Sequence, residues 1–205
     1  FAPTVVGVGP TPVLGGEAED GERFPVEVGD AEMDDGLVVH YVEQGSGPPV
    51  LLVGDVLGEE GDVWEDVVRP LAANGLRVVA PSLGTRHDAE DAADAVLAVL
   101  RHLELGSATV VGYTSGARVV RDLAANRGDR IDALVLLVEP DSLDDVEVSL
   151  EAGRSALVLD RAALTTSPED VADDIAEFTR PIAATIAVQW ETGQFEAVED
   201  QAVEE

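Results

Sequence analysis

The chain has 205 residues, no cysteine, and a formal net charge of −30 from 42 acidic and 12 basic residues. No disulfide framework or thiolate metal site can form, no apolar run approaches a membrane span, and so acidic a surface repels nucleic acid and anionic membranes, whose phosphates call for Lys and Arg. Hydrophobic content is 45% but aromatic content only 4%, so the core must be built from Val, Leu, Ile and Ala, which suits a buried parallel sheet.

Residues 1–36 carry short apolar runs broken by Gly and Pro, such as Thr4-Val5-Val6-Gly7-Val8 and Phe24-Pro25-Val26-Glu27-Val28. They predict edge strands or an extended arm. The chain begins with Phe1, which suggests processing or trimming, and its first residues lack the basic-then-apolar form of a secretion signal. From residue 37 strand and helix patterns alternate, as in a doubly wound sheet. Strands are expected at 50–53, 77–80, 108–112, 133–138 and 155–159, and helices at 62–73, 88–103, 116–126 and 168–179. Pro168 after Ser167 is a good first helical residue, with Asp170 favouring the same start. Residues 141–154 read equally as a strand, from the alternation of Asp144 to Leu150, or as the remnant of a larger insertion. In the tail, 181–205, Ile182, Ile186 and Trp190 fall four apart and form an apolar helical stripe.

The most informative stretch is Val110-Val111-Gly112-Tyr113-Thr114-Ser115-Gly116-Ala117. It runs from an apolar strand end through Gly-x-Thr-x-Gly into a helix, the layout of a nucleophile elbow. Upstream, Leu37 to Val53 resembles two strands joined by a Gly/Pro turn, and Gly54-Asp55-Val56-Leu57-Gly58 follows where an oxyanion loop is expected. Trp64 to Leu71 resembles a first helix, Gly75 to Pro81 a strand, Ala89 to Leu105 the helix before the elbow, Ile131 to Pro140 the strand after it, and Ser167 to Arg180 a last helix. This ordered series resembles the α/β-hydrolase family over residues 37–180. The resemblance implies an α/β fold with a mostly parallel, doubly wound sheet, helices on both faces and no cap domain. Residues 1–36 would precede that domain as an arm or edge strands, and 181–205 would follow it as a helical extension with an acidic tail.

Three departures from the family pattern bear on function. Thr114 stands where the family has a serine nucleophile, between the elbow glycines Gly112 and Gly116. Gly54-Asp55 replaces His-Gly, so the oxyanion donors implied by the resemblance are the backbone N–H groups of Val56 and Ser115. The carboxylate of Asp55 beside them opposes developing negative charge, where each such donor is worth on the order of ~3 kcal/mol. No histidine follows the elbow, and Ala163 falls about where the family has its catalytic one. Tyr113 completes the residues expected at the pocket.

A hydroxyl nucleophile needs a base within hydrogen-bond reach. His40, in an early strand, and His102, late in a helix, should not reach the elbow. His87, in the loop after the strand ending at Ala80, is the one candidate substitute base; the plainer alternative is a solvated loop histidine beside Arg86 and Asp88. Thr is β-branched and tolerates the positive φ of an elbow badly, so the turn has either relaxed or kept its strain. Glu139, Asp141 and Asp160 lie at or just past strand ends as candidate acids, in a chain where acids are common. Asp88, Glu90, Asp91 and Asp94 lack calcium-loop spacing, and no metal or cofactor is expected.

Two function classes follow. The first is a non-catalytic α/β-hydrolase-like binding or assembly module, with residues 181–198 docking on another subunit or protein partner. The alternative is a small, cap-less hydrolase of esters or related acyl substrates that uses Thr114. In either case the dispersed acidic residues and the absence of lysine predict a cytoplasmic protein of a salt-accumulating halophile, where salt screens the self-repulsion.

Overall fold

The computed structural model describes residues 25–54, 63–84, 89–139 and 155–192, with side chains described through residue 185 of the final helix. Seven strands form one sheet: β1 (Val26–Glu32), β2 (Val38–Gly45), β3 (Pro49–Val53), β4 (Arg77–Pro81), β5 (Ala108–Tyr113), β6 (Ile131–Val138) and β7 (Ser155–Asp160). Their spatial order is β1-β2-β4-β3-β5-β6-β7. The β1–β2 and β2–β4 pairs are antiparallel and all others parallel. The helices are α1 (Glu65–Ala73), α2 (Ala89–His102), α3 (Ser115–Asn126), the short α4 (Ala163–Thr166) and α5 (Pro168–Thr192).

Alternation along the central strands sorts the core into two layers. Leu51, Val53, Val110, Leu134 and Leu136 pack against Ala92, Val96, Leu100 of α2 and Val120, Leu123 of α3. Val50, Leu52, Val111, Val135 and Leu137 pack against Val67, Leu71 of α1 and Val171, Ile175 of α5. The central strands are therefore buried on both faces, which is why they read as unbroken apolar runs.

The expected strands are present, each within two residues of its predicted bounds. The helix expected at 168–179 does start at Pro168 but runs on to Thr192, through Pro181. Thr185 Oγ1 donates to the Pro181 carbonyl at 2.9 Å inside this continuation. The arm before residue 37 contributes a true edge strand, β1, while residues 1–24 and the ambiguous 141–154 lie outside the described residues. The two strands expected around the Gly/Pro turn differ from a hairpin in one respect: β4 lies between β2 and β3. The connecting turn must pass over the α1–β4 junction. Gly45 and Gly47 have φ of +85° and +125°, and a Cβ on either would collide with the Leu76 or Gly75 carbonyl. Only glycine supplies both that conformation and that clearance.

The outer antiparallel pair is held by side chains. Tyr41 lies across from Gly29, and its ring fills the space a Gly29 side chain would need. Burial, and then the negative charge of Glu43, raises the Tyr41 phenol above its ordinary value of 10.0. On the far side, Arg180 of α5 caps α1: its Nη2 donates to the Asn74 carbonyl at 3.1 Å and to Asn74 Oδ1 at 3.0 Å. Asn74 Nδ2 in turn donates to Asp173 Oδ1 at 2.8 Å, so one network closes the α1 C-terminus onto α5.

Candidate active site

Tyr113 ends β5 and Ser115 begins α3, leaving Thr114 alone at the apex between them. Its φ is +49° and its ψ −115°, outside the regions a β-branched residue adopts without cost. Of the two outcomes open from sequence, the strain has been kept. Such a residue costs of order 1–3 kcal/mol and persists only where its surroundings over-determine it.

The surroundings do so through backbone contacts. The Thr114 N–H donates to the Leu137 carbonyl at 3.2 Å, and the Thr114 carbonyl accepts from the Ala117 N–H at 3.1 Å. A Cβ on Gly112 would lie 2.5 Å from Ala117 Cα. A Cβ on Gly116 would overlap the carbonyl oxygens of both Val53 and Gly54. The two elbow glycines are thus required by close approach: the first lets α3 fold back on β5, and the second lets the end of β3 press against the α3 N-terminus. The chain therefore leaves β3 in direct contact with the elbow.

On the side of the sheet covered by α1 and α5, Trp64 meets Tyr113 edge to face, with ring centroids 6.1 Å apart and an interplanar angle of 74°. The same indole stands 3.3 Å from the position a Gly54 side chain would take. Trp64 therefore wedges the end of β3 and the end of β5 into fixed relation. Sequence reasoning placed Trp64 only at the start of a helix; its role here follows from the strand order, which puts β3 beside β5.

The Thr114 hydroxyl is buried and has no hydrogen-bond partner among the described residues. An unsatisfied buried hydroxyl is costly. Ser115, one residue later, opens α3, whose N-terminal dipole end favours negative charge. Of the site residues expected from sequence, Gly112, Tyr113, Thr114, Ser115 and Gly116 come together at this turn. Asp55, Val56 and His87 lie outside the described residues, as does Asp141.

The other two histidines are held elsewhere. His40 Nδ1 pairs with Asp30 Oδ1 on the exposed face of β1 and β2. Three inter-strand steps separate β2 from β5, about 14 Å at the usual strand spacing. His102, at the end of α2, packs against Tyr41 with centroids 5.8 Å apart. Neither serves the elbow, as the sequence suggested.

At the end of β7, where the family pattern led to an expected histidine, Ala163 opens the short helix α4. The Asp160 carboxylate accepts the Ala162 N–H at 2.9 Å, closing the turn out of the strand. Beside it Arg161 donates its backbone N–H to the Val138 carbonyl at 3.0 Å. Its guanidinium Nη2 lies 2.7 Å from Glu139 Oε1. Two of the candidate acids are therefore committed to local structure. The Arg161–Glu139 pair was not anticipated, although residues just past the ends of neighbouring parallel strands lie near one another.

No family model matches the chain. It is 35% identical over 109 residues to a zearalenone hydrolase of Bionectria ochroleuca, covering 47% of this chain and 41% of that protein. It is 30% identical over 112 residues to a protein of Mycobacterium phage D29 that carries a non-heme haloperoxidase name, covering 50% and 40% respectively. Among solved structures it resembles an epoxide hydrolase from an endophytic Streptomyces, with TM-score 0.50, 28% identity, and coverage of 56% of this chain and 38% of that one. Epoxide hydrolase A from Mycobacterium thermoresistibile superposes with TM-score 0.50 at 22% identity, covering 57% and 40%, a likeness of fold. The chain thus spans about two-fifths of the length of these relatives. Strand order, elbow geometry and these relatives agree on an α/β-hydrolase fold.

Proposed function

We propose that the chain is an α/β-hydrolase-fold enzyme acting on esters or related acyl substrates through Thr114. The observation that carries this reading is the elbow itself. A β-branched residue is held at φ +49° with its hydroxyl buried and unpartnered among the described residues. Strain of this kind is characteristic of sites where a reacting group is held ready. Similarity to named hydrolases weighs on the same side, and shifts the balance from the non-catalytic reading, which the sequence put first, towards its alternative.

In this reading Thr114 Oγ1 attacks the acyl carbon while its proton passes to a base, for which His87 is the sequence's candidate. The developing oxyanion faces the N-terminal end of α3, with the Val56 N–H as the second donor that the family resemblance implies. Collapse expels the alcohol, which takes up the proton, and water releases the acyl group with regeneration of the hydroxyl. The dispersed acidic surface would keep the protein soluble in a concentrated-salt cytoplasm.

A second reading retains support from one observation: among the described residues, Thr114 has no imidazole partner and Ala163 occupies the family's histidine place. There the fold would serve binding or assembly, with 181–198 as the docking segment. Short activated esters assayed in multimolar salt separate the two. Turnover that falls at least ~100-fold in Thr114→Ala supports the enzyme; no turnover, or turnover indifferent to that substitution, removes it.

A further inference from the structure

The Arg161–Glu139 pair stands at the same carboxyl edge of the sheet as the elbow. Thr114 and Arg161 bond to successive carbonyls of β6, Leu137 and Val138, from its two sides. Tyr113 and Leu159 both register on Leu137, so the two strands that deliver Thr114 and Arg161 are two inter-strand steps apart, about 10 Å. A guanidinium on a long stem covers much of that distance. Tyr113, Leu137 and Leu159 face the α1/α5 layer, and continuing the alternation of β6 and β7 carries Glu139 and Arg161 to that side as well.

In a chain of net charge −30, a cation at the same sheet edge as the elbow is chemically distinctive. The contact with Glu139 engages Nη2, and a guanidinium has five N–H donors in a fixed fork. The pair is partly exposed, at 39% for Arg161 and 60% for Glu139, so Glu139 can yield its place to an incoming anion at little cost. Arginine cannot act as a base, because it stays protonated. It can recognise a carboxylate bidentately.

We propose that Arg161 is a specificity residue of the elbow site, selecting substrates or ligands that carry a carboxylate near the acyl centre, with Glu139 as the intramolecular occupant that such a ligand displaces. The claim about substrates rests on the hydrolase reading; the claim about anion binding does not. Glutarate is the probe, exchanged for chloride at constant ionic strength in the salt that keeps the protein folded, with thermal shift and calorimetry as readouts. Wild type binds glutarate. Arg161→Gln loses about tenfold or more in affinity, Arg161→Lys recovers part of it without the fork, and Glu139→Gln binds more tightly than wild type. In parallel, 4-nitrophenyl hemisuccinate and 4-nitrophenyl butyrate compare an anionic with a neutral ester. The anionic ester is preferred in wild type, and that preference vanishes in Arg161→Gln through KM. Failure of wild type to bind glutarate, or equal binding by Arg161→Gln, overturns the proposal. Glutarate binding with no ester turnover would sustain Arg161 as an anion-binding residue and sink only the hydrolase reading.

Discussion

The end of β5 and the end of β7 lie at one edge of the same sheet and have fared differently. β5 is buried along its whole length, and its exit turn is locked by Leu137, Ala117, Val53 and Gly54. β7 is half-buried or exposed throughout, and the turn after it is closed by one carboxylate and a backbone bond to Val138. The elbow keeps a strained backbone, fixed by close contacts, around Thr114. The β7 turn has alanine where an imidazole is expected. Side chains can be exchanged freely where they touch little; a backbone conformation fixed by steric contact on every side cannot be.

The sharpest way to break this contrast is to add one methyl group to the elbow. Gly116→Ala forces a Cβ onto two carbonyl oxygens at the end of β3 and should destabilise by about 3 kcal/mol, since that buried strand end has little room to retreat. Denaturant titration at fixed salt measures it, and a loss below about 1 kcal/mol would mean the β3–elbow contact is soft. A smaller effect of opposite sign is expected at the apex. Thr114→Gly relieves the positive φ and the buried hydroxyl together, and should stabilise by roughly 1 kcal/mol, read in the same titration. Destabilisation there would show that the threonine methyl packs well enough to outweigh its backbone cost. The smallest effect belongs to β7. Ala163→His sits on a half-buried turn and should shift stability by less than about 0.5 kcal/mol. It also returns an imidazole to that place, so an increase in ester turnover over wild type would tie the two strand ends into one site.

Much of this was readable from residue patterns because the physics is local. The apolar runs 50–53, 108–112 and 133–138 admit few structures other than buried parallel strands, and Gly112 with Gly116 around a single polar residue marks a turn of close approach. What could not be read is what depends on spatial neighbours distant in sequence. Arg161 meets Glu139 only because β6 and β7 are adjacent and parallel. Trp64 reaches Tyr113 and Gly54 only because β3 lies beside β5. The survival of strain at Thr114 was likewise undetermined, since β-branching argues for relaxation and surrounding contacts against it, and those contacts come from β6, α3 and the end of β3. The length of α5 was missed for a different reason: Pro181 reads as a helix breaker, yet the helix continues through it.

The insertion of β4 between β2 and β3 sets an order on how the molecule can be assembled. Two strands joined by a three-residue turn, 46–48, cannot zip together as a local hairpin. Each must wait for a third, delivered after the helix that separates them in sequence. Closing that larger loop before any pairing is rewarded slows the search, and leaves the apolar edge of Val50, Leu51 and Leu52 open in the meantime. A crowded acidic chain repels its own copies during that interval once salt is dilute, so the charge that burdens the folded state also guards the unfinished one against aggregation.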